Sequence, residues 1–371
     1  MPVDSNSPFW CSTCLAMSTR PRISFDANGR CNACLWSERK KVVDWGSRQL
    51  EFDSLLSRHR GKSGSFDCLV PMSGGKDGSY VAYRLKNDYG MNPLGVTVTP
   101  PLPTQLGDQN LRAFVESGYN HLSVNPDYEA TRILNRRGFE EMGFPYYGWL
   151  IAIMTAPIRI AQAFKIGLIF YGEDGEIEYG GTDETSHSPI YDFEYQRRIY
   201  LEGGYDKVLE QSDLSDGQKY FFTYPNSSDS QIDLTHWSYF ENWDPYRNYL
   251  VAKTYCGLKE ADDSNSGTFT NFAQNDQKLY ALHAYMMYLK YGFGRANQDA
   301  CIEIRRGAMD RDQSINLVRL YDGQYPEEFI GTYLDYYQMN IDEFESVLDR
   351  YANKALFEKV NGRWSPKFEI R

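Results

Sequence analysis

Residues 66–80 read FDCLVPMSGGKDGSY. A mostly apolar run from Phe66 to Met72 breaks into Ser73-Gly74-Gly75-Lys76-Asp77-Gly78-Ser79, and residues of helical character follow. The pattern predicts a strand that turns through a glycine-rich loop into the first turn of a helix. The first N–H groups of a helix have no partner inside it, and the helix dipole adds positive potential at that end. The loop therefore reads as a cradle for an anion with several oxygens, a phosphate chain above all. Gly74, Gly75 and Gly78 belong to this cradle, the first two because they let the backbone approach a phosphate closely. The Ser73 and Ser79 hydroxyls can donate to phosphate oxygens, and Lys76 can offset their charge. Asp77 repels phosphate unless a cation intervenes, which assigns it to Mg2+ or to holding the loop. A Walker A loop is excluded: Asp77 follows Lys76, and no glycine stands five positions before Gly75. The dinucleotide fingerprint G-x-G-x-x-G is absent as well.

Strand and helix patterns alternate downstream of this loop. Its helix is expected over about 78–88, then strands at 94–99, 121–124 and 167–171, with helices near 107–117, 127–141 and 149–164. Such alternation predicts an α/β fold with a doubly wound parallel sheet. Ligands of these sheets bind beyond the carboxyl ends of the strands. The loop at 73–79, the end of the second strand near Thr97, and Gly172-Glu173-Asp174-Gly175 are thus expected to converge. Glu173 and Asp174, with Glu176 and Glu178 close by, form an acidic cluster. Such a cluster can bind Mg2+, hydrogen-bond a substrate or take a proton from an attacking amine. Residues 232–240 read as a fifth strand, and Asp244-Pro245 opens a helix that closes near Gly257. From about 276 the chain turns helical and aromatic, and the last sixty residues read as further helices. Arg295 is a candidate to clamp a phosphate or carboxylate, or it caps the preceding helix; Lys278 and Arg305 are similar, weaker candidates.

Four of seven cysteines fall in C-x2-C-x16-C-x2-C spacing: Cys11, Cys14, Cys31 and Cys34. Two such pairs complete a tetrahedron around zinc and leave no position for water, so the site is expected to be structural. Two disulfides or an iron–sulfur cluster are the alternatives. Cys68, Cys256 and Cys301 stand in apolar contexts and read as packing residues. The five histidines show no metal spacing, and no G-x-S-x-G or placed Cys–His pair occurs. If the chain delivers nitrogen, it lacks a glutaminase of its own. The net charge of −11 argues against broad nucleic-acid binding. No signal-peptide pattern opens the chain, and the apolar stretch 149–171 is broken by Pro157, Arg159, Gln162 and Lys165. A cytoplasmic protein without a membrane span is expected. Three segments are expected: a four-cysteine zinc module at 1–45, the α/β domain at 62–260, and a helical substrate or partner region at 261–371.

The S-G-G-x-D loop resembles the pyrophosphate loop (PP-loop) of ATP pyrophosphatases, which cleave ATP between its α- and β-phosphates. The whole set of motifs resembles the N-acetyl sugar amidotransferase family of the WbpG type, found in surface polysaccharide biosynthesis. That resemblance rests on the paired C-x-x-C at 11–34, Ser73 to Tyr80, Gly172 to Glu176 with Glu178-Tyr-Gly180, and Trp243-Asp-Pro245. It continues through Asp276 with Lys278, Tyr291 to Arg295, and Glu303-Ile-Arg305 to Gly307. The chain departs from the pattern at Asp174, where Asn is expected, and at Asn297, where Thr is expected. The likeness implies ATP, Mg2+ and Zn2+, with an acetamido group of a nucleotide-linked N-acetyl sugar activated by adenylation and attacked by ammonia. It implies as partners a HisH-type glutaminase and a HisF-type ammonia-channelling subunit. Rival readings are a PP-loop tRNA-thiolating enzyme, which calls for a basic groove and catalytic cysteines, and a zinc-bearing scaffold that only binds nucleotide.

Overall fold

A computed structural model describes residues 7–62, 64–225 and 232–371. Two helices, α1 (Asn32–Arg39) and α2 (Trp45–His59), lead into the α/β region. There β1 (Cys68–Pro71), α3 (Lys76–Asn87), β2 (Pro93–Val98), α4 (Gln105–Glu116) and β3 (Asn120–Val124) follow one another. Next come α5 (Tyr128–Met142), α6 (Tyr147–Ala163), β4 (Leu168–Tyr171) and the short α7 (Gly175–Tyr179). The sheet closes with β5 (Ile190–Tyr191) and β6 (Asp233–His236).

The strand order is β3-β2-β1-β4-β6-β5. All neighbours run parallel except β5, which pairs antiparallel with β6 at one edge. The chain winds from β1 to β3 in one direction, then crosses back to place β4 on the other side of β1. The switch point therefore lies between β1 and β4, where an open α/β sheet leaves a crevice at its carboxyl ends. Both faces of the sheet are buried, and alternate residues of a strand supply the two faces. Leu69, Leu94, Val96, Ile169 and Leu234 enter one core with α5, α6 and the C-terminal helices. Cys68, Val70, Leu168 and Phe170 enter the other, against Phe52 of α2 and Tyr80, Val81 and Leu85 of α3.

Helix ends follow local chemistry. Thr104 and Asp127 cap α4 and α5 through their side chains. The helix Pro245–Cys256 has Asp244 as N-cap and the left-handed Gly257 as C-cap. Two expectations need correction. The fifth-strand reading over 232–240 holds only for Asp233–His236, because Trp237–Phe240 turns into helix, with Trp237 and Phe240 entering the α2 core. The C-terminal sixty residues are not all helical: β7 (Phe357–Val360) and β8 (Arg363–Pro366) form a hairpin. Its turn is Asn361-Gly362, both at positive φ (49° and 80°), which is the chemistry of a two-residue hairpin loop.

Candidate active site

Beyond β1 the backbone turns sharply at Gly74, whose φ is +78°. A Cβ there would lie 2.5 Å from the backbone nitrogen of Leu111, so α4 packs directly on this glycine. Gly75 is the N-cap of α3, and among the described residues no side chain caps that helix. A Cβ on Gly75 would meet only Ser73 Oγ, at 3.5 Å. The uncapped first turn of α3 opens into a cavity of about 360 Å³. Ser73, Gly75, Lys76, Asp77 and Gly78 line it on one side, and Glu173 from the end of β4 lines it across the switch point. Asp276, Tyr280 and Arg295 reach it from the C-terminal region, while Val96, Val98, Trp149 and Ile153 form an apolar wall.

The charged groups here are tightly coupled. Lys76 Nζ pairs with Asp77 Oδ2, and Asn248 Nδ2 donates to Asp77 Oδ1 at 3.1 Å. Glu173 accepts from the Tyr179 hydroxyl (2.7 Å) and from Trp243 Nε1 (3.0 Å). Burial, and then the charge of Asp77, hold the Glu173 carboxyl above its ordinary range. Arg295 pairs with Asp299 at 2.9 Å, and Asp299 accepts from Thr268 Oγ1 at 2.6 Å. Burial opposes the charge on Arg295, but Asp299, Tyr179 and Glu173 outweigh it and raise the guanidinium further. Two carboxylates thus stand beside two cations at the mouth of a helix N-terminus. Asp77 and Glu173 fit Mg2+, since hard oxygen ligands suit it and a cation would relieve the repulsion between them.

Several expected site residues lie elsewhere. Asp174 is 3 % exposed and takes no part in the cavity lining. It caps α7 through Glu176 N–H (3.0 Å), and it accepts from Tyr200 (3.2 Å) and Thr185. Thr97 is one residue out of phase: Val96 and Val98 face the cavity, whereas Thr97 Oγ1 donates to Met72 O (2.6 Å) and meets His121 Nε2 (2.8 Å). Ser79 is fully buried in α3, away from the cavity, and Gly74 serves the packing of α4. Gly78 does line the cavity, and a Cβ on it would strike Met72 Cβ at 2.6 Å. Lys278 lies outside the lining; its backbone N–H donates to Leu102 O and its carbonyl accepts from Tyr333. Its sequence neighbours Asp276 and Tyr280 are the ones that face the cavity.

The rest of the acidic cluster holds the N-terminal segment in place. Glu176 accepts both Arg22 Nε (2.8 Å) and Nη2 (2.7 Å), and Glu178 accepts from Trp36 Nε1 (2.9 Å) and Lys40 Nζ (2.8 Å). That segment carries Cys11, Cys14, Cys31 and Cys34, all buried, with sulfur atoms within 4.8 Å of one another. Cys11–Cys34 and Cys14–Cys31 sulfurs are 3.8 and 3.7 Å apart, too far for disulfides. Zn–S bonds of about 2.3 Å set tetrahedral sulfurs about 3.8 Å apart, so the donor set fits zinc. Backbone N–H groups of Thr13, Cys31 and Ala16 point at Cys11 and Cys14 sulfurs, and Arg305 Nη1 lies 3.7 Å from Cys14 Sγ. Arg305 therefore serves the four-cysteine cluster and leaves the cavity to Arg295, ten residues earlier on the helix Arg295–Arg306.

The chain thus joins a mostly parallel α/β sheet, a glycine-rich loop at its switch point and a cluster of four buried cysteines. Residues 266–369 match the family model described as LPS biosynthesis protein WbpG-like, C-terminal domain. The match makes the C-terminal part of the chain similar to the corresponding domain of WbpG-like proteins. The matched segment contributes Asp276, Tyr280 and Arg295 to the cavity. No curated protein matches the chain. Among the described residues, no helix is long and apolar enough to cross a membrane.

Proposed function

We propose that this protein is an ATP-dependent amidotransferase that converts the acetamido group of a nucleotide-linked N-acetyl sugar into an acetamidino group in surface polysaccharide biosynthesis. The convergence of Ser73, Gly75 to Gly78, Glu173 and Arg295 on one cavity at the β1/β4 switch point carries the reading. The acetamido oxygen attacks the α-phosphorus of ATP, and pyrophosphate leaves. The uncapped N–H groups of α3, with Lys76, stabilise the departing charge. Mg2+, held by Asp77, would supply further neutralisation of the phosphates. Ammonia then attacks the O-adenylyl imidate, AMP departs, and Glu173 takes the proton that frees the nucleophile from ammonium. Zinc at the four cysteines is structural.

The source of ammonia is external. Among the described residues, no cysteine lines the cavity. Burial pushes the Cys68 and Cys256 thiols up, Cys256 to about 11, so both stay protonated. Cys301 lies against the four cysteines, in one cluster with Cys14. These placements disfavour a thiolase and support a separate glutaminase, with a HisH-type enzyme and a HisF-type channelling subunit as the proposed suppliers. The test uses purified protein, ATP, Mg2+, a nucleotide-linked N-acetyl sugar and ammonium. AMP, pyrophosphate and a sugar lighter by about one mass unit, with O replaced by NH, are expected. ADP as the nucleotide product would overturn the reading, and ATP binding without turnover would favour a scaffold.

A further inference from the structure

Among the described residues, two charged groups of the cavity keep a buried atom without a hydrogen-bond partner, Asp276 Oδ2 and Arg295 Nε, and of these Asp276 is the acceptor. Its main chain is pinned: Thr104 N–H donates to Asp276 O at 3.1 Å, Thr104 Oγ1 donates to Asn275 O, and Pro103 pairs with Gln277 in an antiparallel bridge. A Cβ on Gly107 would lie 2.5 Å from Asp276 Cα, so α4 packs directly against this residue. The carboxyl faces the cavity beside the Ser73 and Tyr280 hydroxyls. Yet Oδ2 is shielded from solvent and accepts no hydrogen bond among the described residues. A buried acceptor left without a donor is costly, and in a rigid wall it marks the place of a ligand's donor.

The surrounding charges leave this oxygen free. Lys76 is paired with Asp77, and Arg295 with Asp299. Tyr146, at the start of α6, and Tyr280 both face Asp276 and stay protonated, their pKa values raised chiefly by burial. Burial pushes the Asp276 carboxyl up to about 6, against the pull of Ser73 and Tyr280. Glu173, by contrast, has both oxygens engaged by Tyr179 and Trp243. The reaction proposed above moves protons at two points, from the acetamido nitrogen during adenylation and from ammonium afterwards. Glu173 is suited to the second. We infer that Asp276 is the general base that takes the acetamido N–H proton while the oxygen of that group attacks the α-phosphorus.

The inference rests on the proposed reaction and assigns its first step. An O–Pα bond forms and the Pα–O bond to pyrophosphate breaks. The amide becomes a neutral O-adenylyl imidate, and its N–H proton passes to the Asp276 carboxylate, which gives it up after the products leave. The experiment compares wild type, Asp276→Asn and Asp276→Ala in AMP formation from ATP, Mg2+, nucleotide-linked N-acetyl sugar and ammonium. The Asn variant should lose about 10²- to 10⁴-fold in kcat with the KM for ATP nearly unchanged. Wild-type kcat is expected to fall on an acid limb near pH 6, and that limb should vanish in the Asn variant. Added formate, but not chloride, should restore part of the rate to the Ala variant. A kcat within about threefold of wild type in either variant overturns the assignment, as does an unchanged acid limb in Asp276→Asn. AMP from wild type and variants alike overturns this inference alone, whereas no AMP from wild type overturns the proposed reaction with it.

Discussion

The four-cysteine cluster and the cavity are built in opposite ways. In the cluster four thiols come from 24 residues of chain, and their sulfurs are turned inward on one another. Cys11 Sγ accepts two backbone N–H groups and Cys14 Sγ one, and Arg311 holds the carbonyls of Cys11 and Cys14. The cavity draws its polar groups from four distant segments and keeps some of them without protein partners: the first turn of α3 and Asp276 Oδ2. A closed polar cluster stabilises a fold, while an open one is held by the fold for a ligand. The two are joined by the helix Arg295–Arg306, which runs from the cavity at Arg295 to the four-cysteine cluster at Arg305.

The largest effect should come from breaking the closed region. Cys31→Ser removes a ligand, and structural zinc in such sites supplies on the order of 10 kcal/mol to folding. Metal analysis should show zinc lost, and the melting transition should fall by far more than for any cavity variant. Two glycines three residues apart sharpen the contrast. Gly75→Ala places a methyl where only Ser73 Oγ is near, so the melting temperature should hold while AMP formation falls by about 10²-fold through a blocked cradle. Gly78→Ala drives a methyl into Met72 and should destabilise the fold by about 1–3 kcal/mol.

Adjacent carboxylates give the next contrast. Glu173→Gln should cut AMP formation about 10²-fold at nearly unchanged stability. Asp174→Asn disturbs the cap of α7 and the Thr185 and Tyr200 contacts, and should cost about 1–2 kcal/mol while activity survives. Equal activity losses from both would erase the distinction between them. The smallest effect concerns pH. The folded-state pKa of Asp276 is raised to about 6, so the folded protein binds this proton more firmly than the unfolded chain. The associated stability is fully present below the unfolded value near 4 and is lost as pH rises through about 6. Asp276→Asn should therefore melt above wild type by roughly one or two degrees at pH 8. The difference should vanish or reverse at pH 4.

Local signals were legible in sequence where chemistry and spacing coincide. The four cysteines, the strand–loop–helix at 66–80 and the Asp244-Pro245 helix start are of this kind. The Asn361-Gly362 hairpin was equally local, since an Asn-Gly pair is the signal of a two-residue hairpin turn. Side-chain direction was less accessible. Thr97 misses the cavity by one step of strand alternation, since the end of a strand can be located without its parity. The run Glu173 to Glu178 looks like one acidic patch in sequence. A sharp turn and the short α7 send Glu173 to the cavity, Asp174 inward, and Glu176 and Glu178 to the N-terminal segment. Asp276 entered only as a block with Lys278 and without a role of its own, because its placement depends on a bridge to Pro103 and on α4, more than 160 residues upstream.

The central claim is that the loop at 73–79 serves attack by an acyl oxygen on the α-phosphorus. It is tested most directly with substrate carrying ¹⁸O in the acetamido carbonyl, in the presence of ATP, Mg2+ and ammonium, with mass spectrometry of the nucleotide products. The account predicts that the label appears in the phosphate of AMP and leaves the sugar. Label retained in the sugar, or found in inorganic phosphate beside ADP, would contradict it.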